Sequence, residues 1–204
     1  IKIYGKIEDC IKGSEDENIN VQLVTFKNNF RYKVYQITDG RLYTDRIHDT
    51  AIISKHKIVE EASFQIRNNN NSSIKNNIVF LKGTQRQLRK LKGSTLSLLT
   101  GGGGNNNYWH WIYDVLPRLK ICEEIKNLEN IDYYLLPNLE KNFQKETLQA
   151  LGINKNKLLS SVKFRHITCN ELIVTDHPYM LTNNAHHDVQ NIPKWIVDWL
   201  KDKF

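Results

Sequence analysis

The chain has 204 residues, 40% of them hydrophobic and 25% charged, a balance that argues against intrinsic disorder and fits one globular domain with or without a small appended piece. The formal net charge of +7, with an isoelectric point near 9.2, permits attraction to anionic membrane surfaces, nucleic acids or acidic glycans and chooses none of them. No stretch approaches the roughly 20 apolar residues of a membrane-spanning helix, and a start at Ile1 with a single methionine, Met180, points to residues upstream and leaves targeting open.

The first part of the chain reads as short strands. IKIYGKI (1–7), VQLVTFK (21–27), RYKVYQI (31–37) and RLYTDRI (41–47) alternate or cluster β-branched and aromatic residues, with Asp39-Gly40 as a turn between the last two. RNNNNSSIKNN (67–77) offers little to a core and reads as an exposed loop, so a boundary is placed there. Residues 1–70 form a β-rich segment in this division, and 71–204 an α/β domain. The basic run RQLRKLK (86–92) reads as a solvated helix face or loop, ahead of a polyanion-binding patch.

Beyond the boundary, strands and helices alternate. STLSLLT (94–100) is a nearly continuous apolar run ending in four glycines and three asparagines, the opening of a strand, turn and helix. IDYYLL (131–136) is a second strand. FQKETLQAL (143–151) is a helix capped by Gly152, ELIVT (171–175) a further strand, and IPKWIVDWLKDKF (192–204) a last helix with Pro193 near its start. Such repetition predicts an α/β fold with a parallel, Rossmann-like sheet. Cys10, Cys122 and Cys169 are widely spaced and odd in number, so reduced buried thiols are expected.

The segment GGGGNNNYWHWIYDVLPRLKICEE (101–124) concentrates groups able to do chemistry. Asn105, Asn106 or Asn107 can cap the helix, and Asn107, His110, Asp114 and Arg118 follow at steps of three, four and four on one helical face. Ile112, Val115, Leu119 and Cys122 take the opposite side. His110 has a carboxylate one turn onward. Asp114 favours its charged form while the helix N-terminus opposes it, and either His110 acts as a base or the two residues merely form a helix pair anchoring a loop. The glycines, Gly103 and Gly104 among them, either let a ligand approach the main chain or make a plain turn. Pro117 should kink or break the helix near Leu116. Of Trp109 and Trp111, at most one can line the same cleft, as a sugar-stacking platform; core packing is favoured. His186, His187 and Asp188 read as a polar loop and not a metal site. No metal ligands are assigned, and no Asp-x-Asp triplet is present to hold a cation against a sugar diphosphate.

NYWHWIYDVLPRL (107–119) resembles the N-Y-x-H-W-x-x-[DE]-x-L-P-R-L signature of glycosyltransferase family 61, and NFQKETLQALGI (142–153) is similar to the F-Q-x-E-x-L-x-x-L-G motif that follows it in bacterial members of the capsular polysaccharide biosynthesis type. Weaker similarity runs back through DGRLYTD (39–45). The resemblance implies the N-terminal half of a GT-B arrangement in an inverting enzyme; the missing Asp-x-Asp triplet adds the expectation of a metal-free mechanism, and no cofactor is expected. Its nucleotide-sugar donor would bind through a missing C-terminal domain, leaving this portion inactive alone. It also implies a glycan or polysaccharide acceptor and a cytoplasmic place, or one peripheral to the inner membrane face in a bacterium; no nucleic-acid partner is expected, because the chain carries no RNP-type motif, helix-turn-helix signature or zinc finger. Carried over by motif, Asn107, His110, Asp114 and Arg118 line the cleft, with His110 or Asp114 as the base; Gly103, Gly104 and Trp109 are added as substrate-binding candidates from the residue reading above. Arg118 lies too far down its helix to meet a diphosphate, so a structural salt bridge is expected for it. The glycine and asparagine run before Tyr108 departs from the pattern. The competing expectation is a glycan-binding or scaffold protein of the same fold without transfer activity.

Overall fold

In a computed structural model of the chain, residues 9–46, 49–65, 79, 86–99, 106–182 and 184–204 are described. Among them eleven strands form one mixed sheet. They are β1 (Asp9–Ile11), β2 (Ile19–Thr25), β3 (Arg31–Thr38), β4 (Arg41–Thr44), β5 (Asp49–Ser54), β6 (Lys57–Val59), β7 (Phe64–Gln65), β8 (Arg89–Ser97), β9 (Tyr133–Leu136), β10 (Leu158–Ser160) and β11 (His166–Thr175). The path runs β1-β6-β5-β4-β11-β8-β9-β10, with β3 also on β11, β2 on β3 and β7 on β5. The protein is therefore a mixed α/β fold. The purely parallel sheet expected from the sequence is corrected: β11, β8, β9 and β10 are mutually parallel, whereas the β2–β3 and β4–β5 pairs and the contacts of β3 and β4 with β11 are antiparallel. The strand expected at 1–7, the loop at 67–77, the 70/71 boundary and the four glycines lie outside the described residues; strands from both sides of that boundary share the sheet.

Asp39-Gly40 does not reverse the chain. β3 pairs with residues 171–175 of β11 and β4 with residues 166–168, along the same edge. The two are thus one strand interrupted opposite Asn170. Asp39 takes a positive φ of 50°, its N–H donates to the Asn170 carbonyl at 2.9 Å, and the Gly40 carbonyl accepts from Cys169 at 3.1 Å. A Cβ on Gly40 would stand 2.6 Å from that of Leu172, which is why the interruption carries glycine.

The helices are α1 (Tyr108–His110), a π turn (Trp111–Val115), α2 (Pro117–Glu123), α3 (Asn142–Ala150), α4 (Ala185–Gln190) and α5 (Lys194–Lys203). The basic run enters β8 and is not a helix face: Arg89 to Lys92 are strand residues. Alternate residues of the strands serve opposite faces of the sheet. Tyr32, Val34, Leu96, Tyr134, Leu136 and Ile173 join a core with Val115, Leu119, Leu148 and Trp195 of the helices. Tyr35, Ile37, Leu135, Leu172 and Val174 join a second core on the other face with Leu42, Ile52 and Leu99. α5 docks through Trp195, whose indole stacks on Phe26 with centroids 4.1 Å apart and donates to the Tyr32 hydroxyl at 2.9 Å. Tyr32 in turn donates to the Pro178 carbonyl, tying the segment after β11 to the core. No helix among the described residues is long and apolar enough to cross a membrane. Cys122 and Cys169 are buried free thiols, pushed up in pKa first by burial, to about 12 and about 11.

Candidate functional site

The chain leaves β8 at Ser97, runs through the helices to β9 and β10 on one side, and returns as β11 on the other. The carboxyl ends of β8 and β11 therefore flank the point where strand order turns back, the place at which open α/β sheets form ligand crevices. The segment carrying His110, Asp114 and Arg118 crosses this end.

Asn107 is the cap. Its Oδ1 accepts from the His110 N–H at 3.4 Å, and its carbonyl accepts from Trp111 at 3.0 Å. A regular helix would then meet Pro117, which has no N–H and whose ring would strike the Tyr113 carbonyl. The backbone instead widens to a π turn, closed by Leu116 N–H to the Trp111 carbonyl at 3.1 Å, and restarts with Pro117 in the first position of α2. The break expected near Leu116 is present, as a change of pitch.

The expected open polar face is not what this produces. His110 stays partly exposed, its side chain 35% accessible, but Asp114 is 4% accessible and Arg118 is buried. Ile112, Val115, Leu119 and Cys122 are buried as expected. Two imidazoles address one carboxylate oxygen: His110 Nδ1 lies 2.8 Å from Asp114 Oδ2, and His177 Nε2 lies 3.8 Å from the same atom. Burial alone would raise the Asp114 carboxyl, yet the hydrogen bonds and charge of the two histidines outweigh it and hold the group down at about 2. Asp114 is thus a carboxylate, which can only accept, so His110 Nδ1 carries its proton and Nε2 is left as the acceptor in the neutral ring. The bond to Asp114 raises the His110 pKa against the opposing effect of burial. For His177 burial dominates and lowers the pKa. Its Nδ1 accepts from the Met180 N–H at 3.1 Å, so its Nε2 bears the hydrogen and faces Asp114.

Arg118 forms no salt bridge among the described residues, contrary to expectation. Its Nε donates to the Asp114 carbonyl at 3.1 Å and its Nη1 to the Thr175 carbonyl at 3.0 Å. Burial depresses the guanidinium to about 10, while Asp114 and Asp176 push it back up. The tryptophans divide: Trp111 is fully buried, its indole donating to Thr147 Oγ1 at 2.9 Å, while Trp109 is 39% exposed and packs on Tyr113 with centroids 4.4 Å apart. Tyr108, 61% exposed, lies edge-on to Phe143. Gly103 and Gly104 lie outside the described residues. His186, His187 and Asp188 belong to α4, not a loop; Asp188 is buried and accepts from the Thr182 N–H and hydroxyl at 3.0 and 2.8 Å. No group of three or more His, Cys, Asp or Glu among the described residues could hold a metal ion.

His177, Asp176 and Thr175 are the functional candidates that the periodicity of the 101–124 segment could not announce. Their signal in the sequence is a polar Thr-Asp-His directly after an apolar strand, at a carboxyl end. A cavity of about 190 Å³ opens beside them, its lining including Ser97, Arg118, Thr175, Asp176 and His177. Comparison with family models, curated proteins and solved structures returned no match.

Proposed function

We propose that the chain is the Rossmann-like, acceptor-side half of an inverting glycosyltransferase that uses a nucleotide-sugar donor, a glycan or polysaccharide acceptor and no metal. The observation that carries the proposal is the His110–Asp114 pair: a partly exposed imidazole whose inner nitrogen is fixed by a buried carboxylate at 2.8 Å, leaving the outer nitrogen as a base. In the transfer, Nε2 of His110 takes the proton of the acceptor hydroxyl as its oxygen attacks the anomeric carbon. The bond from that carbon to the nucleotide diphosphate breaks on the opposite face, and configuration inverts. The proton ends on the imidazole, whose positive charge Asp114 stabilises. The order of the two sequence motifs, at Asn107 to Leu119 and Asn142 to Ile153, supports the same assignment, as does the lack of an Asp-x-Asp triplet for the metal-free scheme.

In the full-length protein, supplied with a panel of nucleotide sugars and glycan acceptors, His110→Ala should cut turnover by about 10²–10⁴-fold with the circular dichroism spectrum unchanged. Normal turnover in the variant would reject His110 as the base. The exposed rings of Tyr108 and Trp109 favour a second reading, a glycan-binding protein without transfer; glycan binding by the full-length protein with no binding of any nucleotide sugar would select it.

A further inference from the structure

We propose that the cavity at the carboxyl ends of β8 and β11 binds one neutral, hydroxyl-rich ring the size of a single sugar, at a site separate from the exposed edge of His110. Size comes first. At about 190 Å³ the cavity falls below the roughly 300–1,000 Å³ of clefts that take drug-sized ligands, so a nucleotide or an extended glycan is too large for it and one small ring is not.

The hydrogen-bonding inventory comes second. Arg118 is buried, 3% accessible, and lines the cavity; its Nε and Nη1 are spent on carbonyls, and Nη2 forms no hydrogen bond among the described residues. The Ser97 hydroxyl, on a residue 3% accessible in the same wall, likewise forms none. Neither atom is among the fully buried polar atoms left without a partner, so both stay open to solvent through the cavity and are donors that a ligand hydroxyl can meet in place of water. Asp176 supplies the acceptor: its Oδ2 takes the Lys33 N–H at 2.7 Å.

Charge decides the class. Among the described residues the charged side chains lining the space are Arg118, Asp176 and Glu61; Glu61 pairs with Lys33 at 2.8 Å, and Asp114 lies beyond His177. With Glu61 already paired to Lys33, Arg118 and Asp176 leave one fixed charge of each sign among the described lining residues, so an anion meets Asp176 and a cation meets Arg118. A neutral molecule with several hydroxyls satisfies donors and acceptor together, and Ile52, Leu99, Val174 and Met180 offer its C–H face an apolar bed.

Ligand-observed NMR on the full-length protein checks this with free glucose, galactose, N-acetylglucosamine and myo-inositol as neutral probes, and glucuronate and inorganic phosphate as anionic ones. At least one neutral probe should bind, and Ser97→Val, which replaces the hydroxyl with a methyl and narrows the space, should weaken it about tenfold or more. His110→Ala should leave that binding intact, since the site is separate. Binding of the anions alone, binding unaffected by Ser97→Val, or no binding by any probe would each overturn the proposal. Because no transfer is measured, the outcome stands apart from whether His110 is a catalytic base.

Discussion

His177 Nε2 stands 3.8 Å from Asp114 Oδ2, the same carboxylate oxygen that the exposed His110 meets. Asp114 is therefore held from two directions, by α1 and by the segment after β11. His177 owes its orientation to the Met180 N–H at its other nitrogen, and that segment owes its place to the Tyr32 hydroxyl on Pro178.

The first prediction concerns the proton on His110. Asp114→Asn removes the charge that raises this imidazole but leaves an oxygen to accept from Nδ1, while burial still favours the neutral ring. The His110 pKa should fall, to or below the ordinary value of about 6.5, in an NMR titration of the ring proton. An unchanged titration would mean that Asp114 does not set the basicity of His110.

Stability should follow the same pair. Asp114 is depressed to about 2 against about 3.9 in an unfolded chain, so its contribution is full above about pH 4 and is lost as pH falls towards 2. His110 is raised, so the contribution from its charge is full below about pH 6.5 and is lost as pH rises through its folded value. The stability gap between wild type and Asp114→Asn, measured by urea unfolding, should therefore be widest between about pH 4 and 6.5 and shrink on either side. A gap independent of pH would show that the pair is not coupled to folding.

Trp111 and Trp109 are two residues apart and should behave in opposite ways. Trp111→Ala empties a fully buried site and removes the indole donor to Thr147, at a cost of about 3–5 kcal/mol. Trp109→Ala removes a ring that is 39% exposed and should cost roughly 1 kcal/mol or less. Equal losses in chemical denaturation would contradict the burial assigned to each.

Gly93 tests the bulge in β8. Its φ is +88°, and an added Cβ would collide with the Asp132 carboxylate, which accepts from the Ser94 N–H at 2.7 Å. The register of β8 on β11 shifts at this point. Gly93→Ala should destabilise by about 1–3 kcal/mol, read from the urea midpoint; a neutral substitution would mean that the backbone relaxes there.

Much of the helical part of the fold was legible in the sequence because its signals are local. The Pro193 start and apolar spacing mark α5, and Gly152, at a φ of +73°, closes the turn after α3. The sheet was less legible. ELIVT showed only half of β11: His166 to Asn170 alternate without a strongly apolar run, and become strand because β4 and β8 pair with them on both edges. DTAIIS, buried throughout as β5, went unread between two segments taken as strand and loop. Asp39-Gly40 has turn composition, yet pairing with Asn170 keeps the chain going forward. At the site, the i, i+4 spacing of His110 and Asp114 correctly joined them. Periodicity names a face of a helix but not what lies against it, so it could reveal neither the burial of Asp114 and Arg118 nor the approach of His177 from 63 positions downstream.

The widened turn at Trp111–Val115 has a consequence for angle. It accommodates one residue more than a regular helix would between Trp111 and Arg118. Deleting that residue would restore an even spiral and rotate everything beyond it by about 100° around the axis, swinging Arg118 off Thr175 and emptying the wall of the crevice of its guanidinium. The spare residue works as a phase shifter, pointing the second half of the segment at the strand ends while the first half keeps His110 at the surface.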